Sequence, residues 1–420
     1  MTRIGRGTRV AGAAVVAATL PLLAVSAAHA TQAKPGGSDL TLAVYGDSPY
    51  FDPANASTPN AEFDATPAFI DTVNADPDVS AVVHVGDIHS GSEHCTQAYD
   101  ESIFNMWTAF EDPLVYTPGD NEWSDCHKAK ELRGQDNDTS NNYAGGNPAD
   151  NLALVRSTFF SQPGSTLGQR SIPVTSQAQV GGPHATDTQY VENVMWERRG
   201  VVFVTLNLPG GSNDDADPWF GSAETQAQKD QQAAERANRD AADLDWLDTA
   251  FARANADAAR AVVIIEQADM WDPDGKFTKT GGTFSHLTNY EQFIASIASH
   301  TTAFGKPVLL FNGDSHVYRS DNPLLDNATC FTENGGAEQA CSASSTLATD
   351  QYVDAYDSHS DHGYNVPNFH RITVHGSTFP LEWLKLAIHD NGHLPSGDDS
   401  FGPFSWIREV QSQLTPQATS

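Results

Sequence analysis

The sequence has few basic residues. Its 420 residues include 23 Lys and Arg against 54 Asp and Glu, so the formal net charge is −31. Charged residues make up 18% of the chain, below the usual figure of about 25%, and the shortage lies in Lys and Arg. A surface of this sign repels nucleic acid and anionic membranes. We therefore expect no nucleic-acid partner bound through a basic patch.

Other absences exclude further classes of protein. There is no C-x-x-C pair, no G-x-S-x-G nucleophile elbow, no Walker loop and no H-E-x-x-H, so the local signatures of zinc ribbons, serine hydrolases, P-loop NTPases and zincin proteases are missing. The hydrophobic fraction of 39% excludes disorder throughout the chain. Beyond the N-terminus no apolar run is long enough to span a bilayer, so we predict no transmembrane segment.

The N-terminus has the features of a secretory signal peptide. Three arginines within the first nine residues precede a short apolar run, Ala11–Val25, and Ala28–Ala30 forms an A-x-A cleavage signal. This pattern predicts a signal peptide over residues 1–30 that is cleaved after Ala30, then a linker over residues 31–39, and a secreted, extracellular protein. The four cysteines, an even number, agree with export to an oxidising compartment, and three pairings are open to them.

Short, continuous apolar segments alternate with helical patterns along the rest of the chain. Continuous rather than alternating apolar character is typical of strands buried on both faces. The predicted strands are Leu40–Tyr45, Ala81–Val85, Leu114–Thr117, Val201–Leu206, Ala261–Ile265, Pro307–Phe311, Phe369–Val374 and Leu381–Ile388. The predicted helices are Asp64–Asn74, Ser102–Phe110, Asn151–Phe159, Glu291–Ala303 and, as two helices, Ala223–Ala259. The alternation predicts one layered α/β domain over residues 40–390, with loop-rich insertions and a C-terminal extension over residues 391–420.

Polar side chains follow the predicted strands, four times as a Gly-Asp pair. Glycine lets the chain turn sharply, and loops at the carboxyl ends of strands line the ligand crevice of an α/β sheet. One Gly-Asp pair is an ordinary turn signal, but four at strand ends bring several carboxylates together. Carboxylates that close cannot all stay ionised without a cation, so the pattern predicts a metal site. Its candidates are Asp47, Asp87, Asp120, Gln267, Asp314 and His316.

The order and spacing of these motifs resemble those of the calcineurin-like metallophosphoesterases, the group that includes the purple acid phosphatases. That family's motifs run D-x-H, G-D-x-x-D, G-N-H-E or D, an isolated His after a strand, and G-H-x-H. The corresponding segments of this sequence are Asp47–Pro49, Gly86–Ser90, Gly119–Glu122, Gln267 and Gly313–His316. The resemblance covers about residues 40–390, and it implies a four-layer α/β/β/α sandwich with loop-rich insertions.

The resemblance also implies a set of metal ligands. For one metal the matching positions are Asp47, Asp87 and His316. For a second metal, with Asp87 bridging, they are Asp87, Asp120, Gln267 and Asp314, and Glu266 is the alternative to Gln267. Three family histidines are replaced by Pro49, Gln267 and Asp314. Oxygen ligands of this kind suit Mg, Mn or Ca better than Fe or Zn, and we expect one or two divalent ions.

The implied function is hydrolysis of a phosphate mono- or diester by a metal-activated hydroxide that attacks phosphorus. The family histidine credited with protonating the leaving group is replaced by Asn121, which cannot deliver a proton. His89 could partly substitute, or it could be a hydrogen-bonded loop histidine. The expected partner is a small phosphate ester and the expected state is a monomer. A catalytically lapsed member that binds a metal or ligand is the alternative, and a phosphodiesterase for lipids or nucleotides is a third reading.

The same strand-end arrangement predicts the cysteine pairing. Cys95 lies in the loop after the second predicted strand and Cys126 in the loop after the third. These loops should be neighbours beside the metal site, so a bridge between them would brace its rim. We therefore expect Cys95–Cys126 and, closing a short Gly- and Ser-containing loop, Cys330–Cys341.

Overall fold

Two β-sheets with helices on their outer faces form the part of the chain that the structure describes. The structure is a computed structural model. It describes residues 40–50, 60–91, 93–127, 146–214, 218–220, 223–271, 285–325, 328–334, 336–341, 364–377, 381–390 and 399–411. The predicted signal peptide and linker lie outside these residues.

The strands agree with the predicted segments where these exist and include several short ones besides. In chain order they are β1 Leu40–Tyr45, β2 Val79–His84, β3 Leu114–Tyr116, β4 Thr175–Ser176, β5 Val194–Arg198, β6 Val201–Thr205, β7 Ala261–Ile265, β8 Val308–Asn312, β9 Arg319–Asp321, β10 Phe331–Asn334, β11 Ala337–Ala340, β12 Phe369–Thr373, β13 Leu381–Ile388, β14 Ser400–Phe401 and β15 Phe404–Gln411. One sheet has the order β14-β15-β13-β1-β2-β3 and the other β11-β10-β9-β12-β8-β7-β6-β5-β4. Parallel pairing joins β1, β2 and β3 in the first sheet and β6, β7, β8 and β12 in the second.

The helices pack on the outer faces of the two sheets. They are α1 Ala61–Ala75, α2 Gln97–Trp107, α3 Pro148–Phe159, the single turn α4 Gln177–Val180, α5 Gln226–Ala256 and α6 Ser285–Phe304, with a 3₁₀ turn at Asp187–Gln189. Thr225 and Gln228 form a capping box at the start of α5. The prediction of two helices over Ala223–Ala259 is wrong, because no Gly or Pro interrupts this Ala-rich segment and α5 is continuous.

The first sheet separates two apolar cores. Along β1, Leu42 and Val44 face the second sheet, whereas Ala43 and Tyr45 face α1, α2 and α3 on the other side. This alternation follows from the two-residue repeat of a strand, and every residue of β1 is apolar or small enough to be buried.

The second sheet is covered in the same way. Val263 on β7 packs in the core between the sheets, and its neighbours Val262 and Ile264 pack with Trp246 of α5 and Phe293 of α6. The layers are therefore helices, sheet, sheet and helices. The predicted four-layer α/β/β/α sandwich is confirmed.

The predicted C-terminal extension contributes a strand to the first sheet. β15 pairs with the whole of β13, from Leu381 opposite Gln411 to Ile388 opposite Phe404. Phe404 and Trp406 point into the core between the sheets, whereas Ile407 is 60% exposed. The domain boundary at residue 390 is therefore wrong. β15 mixes polar residues with apolar ones, so it is a weaker strand signal in the sequence than the continuous apolar runs of the buried strands.

Both predicted disulfides are present. Cys95 pairs with Cys126, linking the chain segments that follow β2 and β3, and Cys330 pairs with Cys341 beside β10 and β11. Among the helices within the described ranges, none has both the length and the apolar character that crossing a membrane requires.

A buried ion network anchors the loop that follows β8. Arg371 on β12 donates Nε and Nη2 to the two oxygens of Asp321, at 2.9 and 2.7 Å, and Nη1 to Asp269 Oδ1 at 2.5 Å. All three side chains are fully buried. Asp269 Oδ2 also accepts a hydrogen bond from Ser315 Oγ at 2.9 Å. The network therefore holds the loop segment that contains Asp314 and His316.

Arg371→Met should destabilise the protein by about 3 to 5 kcal/mol, because it removes the buried cation paired with Asp321 and leaves Asp269 with Arg319 alone, 3.8 Å away. Urea denaturation of the purified protein measures the change. The matched control is Arg253→Met, which removes an ion pair from the exposed face of α5, where Arg253 is 58% exposed. That control should cost less than about 1 kcal/mol. Equal losses for the two variants would contradict the role given to the network.

Candidate metal centre

The candidate site lies where the carboxyl ends of strands from both sheets meet. Asp47 follows β1 and Asp87 follows β2, while Asp314 and His316 follow β8 of the other sheet. All four have left-handed backbone, with φ of 47°, 60°, 71° and 61°. This conformation costs a non-glycine residue about 1 to 2 kcal/mol, and such outliers cluster at functional sites. The folded chain therefore holds these four residues in backbone conformations that they do not favour.

Three of the predicted ligands come together. Asp47, Asp87 and His316 each offer a ligand atom, and these atoms lie within 4.8 Å of one another. The His316 Nε2 atom is 3.7 Å from Asp47 Oδ1. The two carboxylates are buried, whereas the His316 side chain keeps 35% exposure. The trio, as we call these three residues, thus opens towards solvent on its histidine side.

One carboxylate oxygen of the trio lacks a donor. Asp47 Oδ1 accepts the Asp314 backbone N–H at 2.9 Å, but no described residue donates a hydrogen bond to the buried Oδ2. A Cβ on Gly313 would come within 2.3 Å of that oxygen, so glycine leaves the space in which the carboxylate sits. An unsatisfied buried oxygen costs about 1 to 3 kcal/mol. A divalent cation satisfies such an oxygen, and the trio therefore fits a metal.

The electrostatics of the trio also favour a cation. Burial raises the pKa of Asp47 and of Asp87 well above the ordinary value, and the charges of Asp120 and Glu122 raise both further. Burial lowers the pKa of His316 to about 4, so its ring is neutral at pH 7 and can act as a metal ligand. Without a cation, the buried carboxyls tend to hold protons. A bound cation reverses that tendency by offsetting their charge.

Gln267 reaches two of the other predicted ligands with its amide nitrogen. Its Nε2 donates to Asp87 Oδ2 at 3.1 Å and to Asp120 Oδ1 at 3.0 Å. Its Oε1 accepts the Gly210 backbone N–H at 2.5 Å. In this orientation the carbonyl oxygen, which is the atom that a metal would take, faces away from both carboxylates. Glu266, the alternative to Gln267, directly follows β7 and is fully buried. Among the described residues it belongs to no group of carboxylate and imidazole side chains close enough to share a metal.

 Burial, with the charges of Asp243 and Asp269, raises the pKa of Glu266 well above its usual range.

Asp314 lies beside the trio rather than within it. Its carboxylate is half-buried against Gly210, where a Cβ would come within 2.5 Å of Oδ1, and its Oδ2 accepts the Asp269 backbone N–H at 3.2 Å. In the part of the chain that the structure describes, neither Asp120 nor Asp314 belongs to a group of three carboxylate or imidazole side chains as close together as the trio. The predicted second metal therefore lacks a comparable set of ligands.

The two predicted catalytic residues have different surroundings. The Asn121 side chain faces the trio, because its Nδ2 donates to Asp87 Oδ2 at 3.0 Å and its backbone N–H to Asp87 Oδ1 at 3.1 Å. The buried His89 ring has its Nδ1 3.0 Å from the Ser90 carbonyl oxygen and packs edge-on against Tyr99 of α2. These contacts match the alternative reading of His89 as a hydrogen-bonded loop histidine.

Tyr50 is a site residue that the sequence reasoning missed. Its hydroxyl donates to Asp87 Oδ2 at 2.7 Å, accepts from Asn121 Nδ2 at 2.6 Å and lies 3.3 Å from His316 Nε2. The only signal in the sequence is its position three residues after Asp47, in a strand-end loop. No metal or phosphate motif requires a tyrosine there, so its role is visible only in the folded chain.

Glu122 supports the site through the backbone. Its Oε1 accepts the Gly119 N–H at 2.7 Å, the Tyr116 hydroxyl at 2.5 Å and the Asp87 N–H at 3.3 Å. One buried carboxylate therefore ties the loop after β3 to the loop after β2. This contact fixes the backbone from which Asp87 projects.

Comparisons with known proteins found a distant structural similarity and no similar curated sequence. No protein-family model and no curated protein matches it. Among solved structures, it is similar to the purple acid phosphatase PPD1 from yellow lupin (Lupinus luteus) seeds, with 11% sequence identity and a TM-score of 0.40. The match covers 91% of this chain and 53% of that one, so the chain spans about half the length of the phosphatase. The function must therefore be argued from the residues of the site.

Asp47→Asn should have opposite effects with and without metal. In chelator-treated protein at pH 8 it should raise the free energy of unfolding, because it removes a charge from a cluster of buried carboxylates. It should also abolish stabilisation by Mn²⁺, which in wild-type protein reaches about 2.7 kcal/mol at 100 times the dissociation constant. Urea denaturation with and without Mn²⁺ measures both effects.

The control for this prediction is Asp71→Asn, which changes an exposed carboxylate on α1. It should leave both the stability and the response to Mn²⁺ close to those of the wild type. If Asp47→Asn kept the full stabilisation by Mn²⁺, the assignment of Asp47 as a ligand would be wrong.

Proposed function

We propose that the protein is a secreted, metal-dependent hydrolase of phosphate esters. The observation that carries the proposal is the trio of Asp47, Asp87 and His316, with its unsatisfied buried oxygen, at the open end of the strands. The motif order that resembles calcineurin-like metallophosphoesterases supports the same reading. So does the four-layer fold, because it brings strand ends from two sheets to one place.

The residues of the trio would hold a divalent cation through two carboxylate oxygens and one imidazole nitrogen. When bound, such a cation supplies Lewis-acid stabilisation of phosphoryl oxygens and lowers the pKa of a water molecule. The oxygen-rich ligands favour Mg²⁺, Mn²⁺ or Ca²⁺. The formal charge of −31 repels phosphate at long range, so we expect the protein to bind phosphate esters poorly unless the cation is present.

Two neutral hydrogen-bond donors lie beside the trio. Asn121 Nδ2 and the Tyr50 hydroxyl both donate to Asp87 Oδ2. Either group could donate to a phosphoryl oxygen of a bound substrate instead. Asn121 cannot protonate a leaving group. Loss of a general acid slows a reaction by about 10² to 10⁴-fold when the leaving group is poor. We therefore expect aryl esters to be better substrates than alkyl esters.

The alternative function is binding without turnover. Asn121 stands where the resemblance places the proton donor, and the Gln267 amide nitrogen faces carboxylates that the resemblance assigns to a second metal. The first feature removes the proton donor and the second removes a ligand of the second metal, whereas the trio stays intact. A lapsed member of the fold would therefore still bind a cation, and the two functions differ in turnover rather than in metal binding.

A panel of metals and substrates tests the proposed function. Chelator-treated protein is supplied with Mg²⁺, Mn²⁺, Ca²⁺ or Zn²⁺ and assayed on p-nitrophenyl phosphate, its bis ester and an alkyl phosphate. We expect turnover of an aryl ester that depends on the cation, exceeds the alkyl rate by about 10²-fold or more, and is lost in Asp87→Asn. Asp71→Asn should keep the wild-type rate.

Turnover that survives both chelation and Asp87→Asn would contradict the proposed function. Equal rates on aryl and alkyl esters would contradict the argument from the missing acid. Cation binding without turnover of any ester would favour the binding protein.

The proposal that the protein is secreted depends on the signal-peptide pattern at its N-terminus. The two disulfides agree with an oxidising compartment. We expect protein recovered from the culture medium to begin at Thr31, which N-terminal sequencing can establish. Full-length protein that stays inside the cell and retains Met1 would contradict export.

A further inference from the structure

The side chain of Gln267 links two carboxylates that belong to different strand ends. Gln267 follows β7 in the second sheet, whereas Asp87 and Asp120 follow β2 and β3 in the first. Its Nε2 lies 3.1 Å from Asp87 Oδ2 and 3.0 Å from Asp120 Oδ1. Both amide hydrogens therefore have a carboxyl oxygen as acceptor, and the positive end of the amide dipole lies between the two carboxyl groups.

The backbone fixes which end of the amide faces the carboxylates. Gln267 Oε1 accepts the Gly210 N–H at 2.5 Å, and a flipped amide would instead set its NH₂ group against that N–H. The flip would also bring Oε1 against the oxygens of Asp87 and Asp120. Both contacts are repulsive, so the observed orientation is the only one of the two that satisfies every partner.

The chain around Gly210 is itself held in place. The Tyr290 hydroxyl donates to the Pro209 carbonyl oxygen at 2.8 Å and accepts the Asn213 N–H at 2.7 Å. The fully buried Arg239 donates to Asn213 Oδ1 at 2.6 Å. The turn therefore cannot move the Gly210 N–H without breaking several buried hydrogen bonds.

Gln267 has little room to rotate away. A Cβ on Gly86 would come within 2.7 Å of both Cβ and Cγ of Gln267, so the stem of the side chain packs directly against the backbone that precedes Asp87. Gln267 is fully buried. Its amide is thus a rigid part of the site.

We infer that the site holds one cation, on the trio, and that the Gln267 amide takes the place of a second cation between Asp87 and Asp120. The inference rests on the proposed cation site. An amide nitrogen that donates both hydrogens has no lone pair for a metal, yet it offsets the charge of the two carboxylates as a cation would. The resemblance, in contrast, places a second metal at this position.

Calorimetric titration of the chelator-treated full chain with Mn²⁺ tests the inference. Wild-type protein should bind one Mn²⁺ per chain. Gln267→Glu keeps the size of the side chain but replaces the amide nitrogen by a carboxylate oxygen, and it should raise the stoichiometry to two. Gln267→His, which supplies an imidazole nitrogen, should do the same. Metal analysis after gel filtration gives an independent count.

Two further variants keep the result interpretable. Gln231→Glu adds the same charge at an exposed position on α5 and should leave one Mn²⁺. Asp120→Asn should also leave one, because Asp120 accepts a hydrogen bond from Gln267 and does not hold the cation. This variant tests the inference even if substitutions of the buried Gln267 prevent folding.

Two Mn²⁺ per wild-type chain would overturn the inference while leaving the proposed function intact. So would one Mn²⁺ in folded Gln267→Glu and Gln267→His, or loss of the single Mn²⁺ in Asp120→Asn. No binding of any divalent metal by wild-type protein would instead refute the cation site on which the proposed function depends.

Discussion

The mutual repulsion of buried carboxylates is the constraint on which the rest of this structure depends. Asp47 and Asp87 lie where two sheets meet and have almost no exposed surface, and burial together with the neighbouring acids raises the pKa of each. Hydrogen-bond donors around the two carboxylates offset part of this repulsion. The Asp314 backbone N–H donates to Asp47. The Asn121 backbone N–H and the side chains of Tyr50 and Gln267 donate to Asp87. In the proposed function, a cation bound by the trio would satisfy the remaining oxygen, Asp47 Oδ2.

The sequence was enough to predict most strands and a layered α/β domain because its strands are buried on both faces, whereas the four-layer arrangement was implied by the resemblance to calcineurin-like metallophosphoesterases. Continuous apolar runs such as Ala261–Ile265 are clear signals of buried strands. The polar residue that follows each run marks the carboxyl end of the strand. Since parallel strands end at the same edge, Asp47 and Asp87 could be predicted to meet. The pairing of Cys95 with Cys126 followed from the same argument.

Other features depend on contacts that no local pattern encodes. The sequence marks Gln267 as a polar strand-end residue, but its amide orientation is set by Gly210, far away along the chain. Tyr50 belongs to no motif and reaches Asp87 only through the turn after β1. The strand β15 mixes polar and apolar residues without a continuous apolar run, and it was interpreted as part of a C-terminal extension. Each of these three misses concerns a long-range contact, about which local propensity carries little information.

The central claim is that Asp47, Asp87 and His316 bind one divalent cation. Anomalous X-ray diffraction from crystals grown with Mn²⁺ tests it most directly, because the signal locates the metal without reference to activity. We predict one strong peak at coordination distance from an oxygen of Asp47, an oxygen of Asp87 and the Nε2 of His316. A fully occupied peak at any other place, with none at these three residues, would contradict the account.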